Sequence, residues 1–353
     1  MKAHGGDIYT FMERYDKTLA GVIDFSASIN PLGPPDNVIS EIKRHLNHII
    51  HYPDPDMRRL RSKIGQTRNI DPESVVCGNG CTELIYLLPK AMKFKKVIVL
   101  APTYGDYERA CRILMQASVI HHMLKRDENF DIRVAELIKT IRSGEGDALF
   151  LCNPNNPTGR FIEKEGLLEI AETAKKQRMY CIVDESFIDF VAIGSVVDAV
   201  KKNPYLIVLK SMTKFYALPG LRLGYGVFPI KVAKTIRRHQ ASWSVNTLAQ
   251  AAGIAALDND GYREMTLKVI GKQKRILEEG FSGLNTYYVP SSANYYLLRL
   301  PNAKDVKGYL ENKGILVRDC SNFKGLDHAY IRVAVKSSGQ NRILLKHMGE
   351  CIG

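Results

Sequence analysis

Between about residues 74 and 228 the sequence alternates short apolar runs with longer stretches of helical spacing, and this restricts the chain more than any other feature. The runs are SVVC (74 to 77), KVIVLAP (96 to 102), ASVIHHML (117 to 124), ALFLCNP (148 to 154), YCIVDES (180 to 186) and LIVLKS (206 to 211). They read as apolar on both faces, the pattern of a mostly parallel sheet covered by helices on each side. Residues 82 to 92, 104 to 115, 134 to 142 and 163 to 177 repeat apolar side chains at helical spacing and supply those helices. The fold class is α/β.

Beyond the sheet, residues 247 to 257 and 262 to 281 also read as helices. The texture then changes. Strand-like segments 293 to 300, 315 to 318 and 329 to 335 alternate with helices at 304 to 313 and 341 to 352, a smaller α+β unit. The Gly- and Pro-rich N-terminal residues are expected to join it. A chain of 353 residues exceeds the size at which one core keeps growing. The expected division is a large unit, 45–260, and a small unit built from 1–44 and 261–353.

A formal charge of +13 suits an anionic partner, but the lysines and arginines are scattered and no nucleic-acid motif accompanies them. A phosphorylated small substrate is the simpler expectation, with no nucleic acid and no membrane involved. The apolar runs are far too short to span a bilayer. No apolar signal segment follows the N-terminal lysine, so the cytoplasm is the expected compartment. Seven cysteines in apolar contexts read as reduced, buried thiols. Cys77 and Cys81 lack a second pair, and His121 and His122 would face opposite sides of a strand, so no metal site is expected. Trp243 and the Tyr-rich stretch 286 to 296 read as core or dimer contacts.

Ligands of open α/β sheets collect beyond the carboxyl ends of the strands, so the residues just after each run carry the chemistry. After SVVC, Gly78-Asn-Gly-Cys-Thr-Glu83 opens a helix whose free amides favour a phosphate. After ALFLC stands the turn NPNNPTG (153 to 159), and after YCIV come Asp184 and Glu185. A buried acid there calls for a cationic partner. After LIVL comes SMTKFYALPGLRLGY (211 to 225), with Lys214. A buried lysine is a nucleophile toward aldehydes, and a buried aspartate can keep a ring nitrogen protonated. Together they describe a pyridoxal 5'-phosphate (PLP) site, with Ser211, Thr213 and Arg222 as donors to its phosphate.

NPNNPTG, DESF and SMTKFYALPGLRLGY, in this order, resemble the fold-type I PLP-dependent aminotransferase superfamily over nearly the whole chain. The resemblance implies that Lys214 binds the cofactor aldehyde and later carries a proton at Cα. It implies that Asp184 pairs with the pyridine nitrogen, Asn156 bonds the cofactor O3′, and Tyr104 stacks on the ring. Backbone amides of Asn79, Gly80 and Cys81 would join Ser211, Thr213 and Arg222 at the phosphate. Tyr52 would reach that phosphate from a second subunit, which implies a homodimer with shared sites. HGGD (4 to 7) and DFSASINPLG (24 to 33) narrow the resemblance to members acting on phosphorylated amino acids. Substrate would then meet His4, Gly5, Asn30, Asn156, Arg318 and Arg332. Decarboxylation is the implied reaction and transamination the alternative. Phe187 stands where many aminotransferases of this group carry a tyrosine, which favours the first; Cys81 replaces a common acidic residue.

Overall fold

The computed structural model describes residues 4–143, 146–192 and 194–352, without the side chain of Asp260. Helix α1 (Ile8–Tyr15) and the short strand β1 (Ile23–Asp24) lead to α2 (Asp36–His45) and α3 (Arg58–Arg68). Strand β2 (Val75–Asn79) passes directly into α4 (Gly80–Met92), followed by β3 (Lys96–Ala101), α5 (Asp106–Met115) and β4 (Ser118–Met123). The alternation continues through α6 (Val134–Ser143), β5 (Ala148–Cys152), α7 (Lys164–Lys176), β6 (Tyr180–Asp184), β7 (Leu206–Ser211) and β8 (Leu223–Val227). Helices α8 (Ile230–His239), α9 (Thr247–Ala256) and α10 (Asp260–Gly283) carry the chain out of the sheet. Then come β9 (Tyr287–Tyr288), β10 (Tyr295–Arg299), α11 (Ala303–Asn312), β11 (Ile315–Leu316), β12 (Arg318–Asp319), β13 (Tyr330–Ala334) and α12 (Ser338–Ile352).

The large sheet has the order β2-β8-β7-β6-β5-β3-β4. Only β8 runs antiparallel to its neighbours; the other pairings are parallel. Strands β5 and β7 are buried along their whole length, as apolar runs with two covered faces should be. Edge strand β4 is only half-buried, and its histidines bond different helices, His121 to Glu108 of α5 and His122 to Thr140 of α6. Strand β8 escapes a reading by apolar pattern because LGYGV holds two glycines. Gly224 has a packing reason: a Cβ there would lie 2.5 Å from the amide nitrogen of Cys81, where α4 begins.

A second, antiparallel sheet has the order β12-β13-β10-β9, and β1 pairs in parallel with β11. Phe25, fully buried, packs beside Tyr295, Ile331 and Val333 in a core of its own. Burying such a ring is worth roughly 1.5–3 kcal/mol, enough to hold so short a strand against the C-terminal segment. Val38 of α2 instead joins Leu60 and Ile64 in the core of the large sheet. All seven cysteines are free thiols, and burial pushes Cys77, Cys111 and Cys181 up to about 12, which keeps them protonated. Among the described residues no helix is long and apolar enough to cross a membrane.

Candidate active site

Strands β5, β6 and β7 end side by side, and their last residues, Cys152, Asp184 and Ser211, line one cavity of about 810 Å³. Lys214 follows three residues later in a tight turn whose carbonyl accepts from the amides of Asn30 (3.0 Å) and Ala217 (3.3 Å). Its Nζ lies 3.5 Å from Ser211 Oγ and 5.9 Å from the centre of the Phe187 ring. Burial pulls the Lys214 ammonium below the ordinary lysine range, against the attraction of Asp184. Such an amine gives up its proton more readily than a surface lysine, as attack on an aldehyde requires.

The carboxylate of Asp184 accepts from the Tyr107 hydroxyl (2.7 Å) and the Ser186 amide (2.9 Å). Tyr107 is stacked on Phe150 with ring centres 5.4 Å apart, so the donor is fixed. The expected cationic partner belongs to the next residue: Glu185 faces Lys210 at 3.4 Å, and Lys210 also meets Asp189 at 3.2 Å. Asp184 is held by neutral donors instead. Both bonds come from neutral groups, which leaves this side chain on the cavity wall to meet a cationic group of a ligand.

At the start of α4, Gly80 adopts φ +74°, and a Cβ there would stand 2.5 Å from the Arg222 guanidinium. Arg222, itself left-handed at φ 59°, donates to the Pro219 carbonyl at 3.1 Å. Ser211 Oγ and Thr213 Oγ1 lie 2.7 Å apart on the same wall. Helix amides, two hydroxyls and a guanidinium make an anion cradle. One expected donor is removed from it: the Asn79 amide already gives its proton to Glu83 Oε2 at 2.6 Å. Gly80 and Cys81, in the first turn, keep amides that the helix itself does not use.

The outer wall comes from the second sheet and the N-terminal segment. Arg332 donates to the side chain of Asn156 and, at 2.8 Å, to the Ser26 carbonyl, while its Nε is buried with no partner. Arg318 donates to Asn322 Oδ1 at 2.7 Å and lies over the Phe323 ring. Tyr104, His4 and Gly5 complete this side of the cavity. Asn30 does not reach it. Its Nδ2 has three acceptors at 2.9 Å, the Phe215 carbonyl, Tyr262 Oη and Thr266 Oγ1, so Asn30 braces the lysine turn rather than facing substrate. Tyr52 also lies outside the cavity, 79 % exposed and stacked on Trp243 at 4.4 Å.

Sequence reasoning passed over Tyr107 and Asp106, both buried and both on the cavity wall. The available signal was their place in the first turn of the helix that follows β3, three and two residues past Tyr104. The residues present fit PLP. A lysine of lowered basicity faces an aspartate with charge to spare, and an anion cradle stands beside them.

Residues 20–348 match the family described as aminotransferase class I and II. Threonine-phosphate decarboxylase of Salmonella typhimurium is 36% identical over 97% of this chain and 94% of its own length. The histidinol-phosphate aminotransferase structure from Clostridium acetobutylicum superposes with a TM-score of 0.87 at 31% identity, covering 94% of this chain and 99% of that one. The L-threonine-O-3-phosphate decarboxylase structure from Porphyromonas gingivalis gives 0.81 at 27% identity, covering 92% and 98%. The fold is that of a PLP-dependent fold-type I enzyme. The chain belongs to the class I and II aminotransferase family.

Proposed function

We propose that the protein decarboxylates O-phospho-L-threonine to (R)-1-amino-2-propanol O-2-phosphate, a step of cobalamin biosynthesis. It would act in the cytoplasm as a homodimer, with Tyr52 of one chain reaching the cofactor phosphate held by the other. The observation that carries the reading is the pair Arg318 and Arg332 on one cavity wall, the second with a buried, unpartnered Nε. Two guanidiniums opposite a lysine suit a substrate with two anionic ends. The 36% identity to a threonine-phosphate decarboxylase over nearly all of both chains supports the same choice.

When bound, PLP supplies an electron sink for whichever bond at Cα stands perpendicular to its ring. The protein's part is aim. Lys214 would hold the cofactor aldehyde, and Asp184 would keep its ring nitrogen protonated. Arg318, Arg332 and His4 grip the anionic ends and stop rotation about the bonds to Cα. The Cα–carboxylate bond would then break with its electron pair left at Cα, and CO2 would leave. Lys214, as the ammonium formed by taking the proton of the incoming substrate amine, would deliver that proton to Cα. Phosphoserine differs from phosphothreonine by one methyl group, worth about 1–3 kcal/mol of discrimination at most, so it is expected to react as well.

The second reading, transamination, has the likeness to histidinol-phosphate aminotransferase in its favour and Phe187 against it. Incubating the PLP-loaded protein with each phosphoamino acid, with and without 2-oxoglutarate, separates the two. CO2 and the amine phosphate are expected without the oxoacid. Glutamate without CO2 would replace decarboxylation by transamination. We also propose that the chain divides into a large unit around the seven-stranded sheet and a small unit from both chain ends. The boundary near residue 45 moves ahead of α2, because Val38 packs in the large core.

A further inference from the structure

Asp106 lies on the cavity wall with only 3 % of its surface exposed. It opens α5, where the unpaired amides of a first helical turn favour a negative side chain. Two groups from outside the helix meet its Oδ2. The Tyr104 hydroxyl donates to it at 2.8 Å, and His4 Nε2 lies 3.4 Å away. The His4 and Tyr104 rings are themselves neighbours, with centres 5.5 Å apart. Burial alone would raise this carboxyl, but bonds from His4 and Tyr104 and the charges of His4 and Arg109 hold it below the usual aspartate range. Tyr86 of α4 also faces it.

The segment carrying His4 is anchored at its other end. The Gly6 amide donates to Ser26 Oγ at 2.7 Å, and a Cβ on Gly5 would strike the Ser26 carbonyl. That same carbonyl accepts from Arg332. Residues 4–6 therefore bridge the cavity from the Arg332 side to the Tyr104 side.

We propose that Asp106 is a positioning residue: its carboxylate clasps His4 and Tyr104 as one unit, seating the N-terminal strap and fixing the ring that stacks on the cofactor. The inference deepens the reading above and rests on it for the roles of His4 and Tyr104. Both side chains depend on the same carboxylate oxygen, so weakening that one acceptor loosens both. A neutral amide at position 106 would bind both Tyr104 and His4 more weakly than the carboxylate does, because a hydrogen bond to a charged acceptor is roughly twice as strong as one to a neutral acceptor.

Hydrogen exchange of residues 4–7, followed by mass spectrometry, tests the clasp in both apo- and PLP-loaded protein. In Asp106→Asn the segment is expected to exchange about fivefold faster, the weight of one partly exposed charge pair. The circular dichroism band of bound PLP should weaken as the Tyr104 ring loosens. KM for phosphothreonine should rise about fivefold with kcat little changed, as expected when a binding group is lost. His4→Ala, at a half-exposed site that does not threaten folding, should raise KM as much, and the double variant no further. Wild-type exchange and dichroism in a folded Asp106→Asn protein would overturn the proposal, as would additive KM effects of the two substitutions. If the wild type releases no CO2 from phosphothreonine, the reading of function fails, while exchange and dichroism still decide the clasp.

Discussion

The two ends of the cavity are built from different material. At the inner end, Asp184 and Ser211 are the last residues of paired parallel strands, and Lys214 sits in a turn bonded to both Asn30 and Ala217. At the outer end, His4 lies in a terminal segment, and Arg318 leans on Asn322, itself exposed. Asp184 and Ser211 cannot move without breaking a sheet ladder, and the backbones of Arg318 and Arg332 are paired across β12 and β13. At the outer end it is the His4 segment and the long arginine side chains that can move for a side-chain contact or two. The inner end is thus suited to hold a cofactor in one pose. Under the proposed reaction, the outer end, with its two guanidiniums, is where the choice of bond at Cα would be made.

If that contrast is right, inner substitutions should damage cofactor and catalysis together, while outer ones should chiefly change KM. The largest effect is expected for Lys214→Ala, with turnover falling about 10²–10⁴-fold or more, as for loss of a positioned proton carrier. Borohydride treatment of this variant should leave no cofactor attached, read as an unchanged mass. Arg332→Ala comes next: each lost charge-assisted bond costs about 1.5–3 kcal/mol, so kcat/KM should fall at least 10-fold with PLP still bound. Release of PLP by Arg332→Ala would break the comparison.

Tyr107→Phe deletes one donor to Asp184 and should speed PLP dissociation about 10-fold, the low end of what one hydrogen bond to a charged acceptor contributes. Stopped-flow transfer of PLP to an acceptor protein measures it. A pH effect is smaller. Because burial lowers the Lys214 pKa from 10.5, the unfolded chain binds more protons than the folded apoprotein between the lowered value and 10.5. Stability therefore rises with pH across that window. Lys214→Met should melt higher than wild-type apoprotein near pH 8, and the gap should close toward about pH 10. The smallest change is expected for Lys324→Ala at the exposed outer rim, a two- to threefold rise in KM that salt abolishes, as for a surface charge worth about 0.2–1 kcal/mol.

The sheet was legible because five of its strands are built on continuous apolar runs and β4 on one broken only by two histidines, and the cavity's inner wall because two of those runs end in Asp184 and in the Lys214 turn. Strand β8 was not, since close approach of α4 imposes glycine where a strand would otherwise show branched residues. Tyr107 was hidden for a different reason. Its ring reads as ordinary core, and only the three-dimensional meeting of α5 with the end of β6 turns its hydroxyl toward Asp184. Asn30 misled in the opposite direction. A polar residue in an N-terminal loop looks available to ligand, yet its amide is used up by Phe215, Tyr262 and Thr266. Backbone-coded features could be read from pattern; features that depend on which distant segments meet could not.

That brace sets an order on synthesis. The turn bearing the reactive amine is tied to Asn30, whose side chain reaches Tyr262 and Thr266 of α10, and the Tyr262 hydroxyl itself donates to the Phe215 carbonyl of the turn. A ribosome that has released only the first 228 residues has made every strand of the large sheet, but the lysine turn still lacks two of its supports. The aldehyde-binding turn of a nascent chain is therefore finished only once α10 has emerged, well after its own strand has been made.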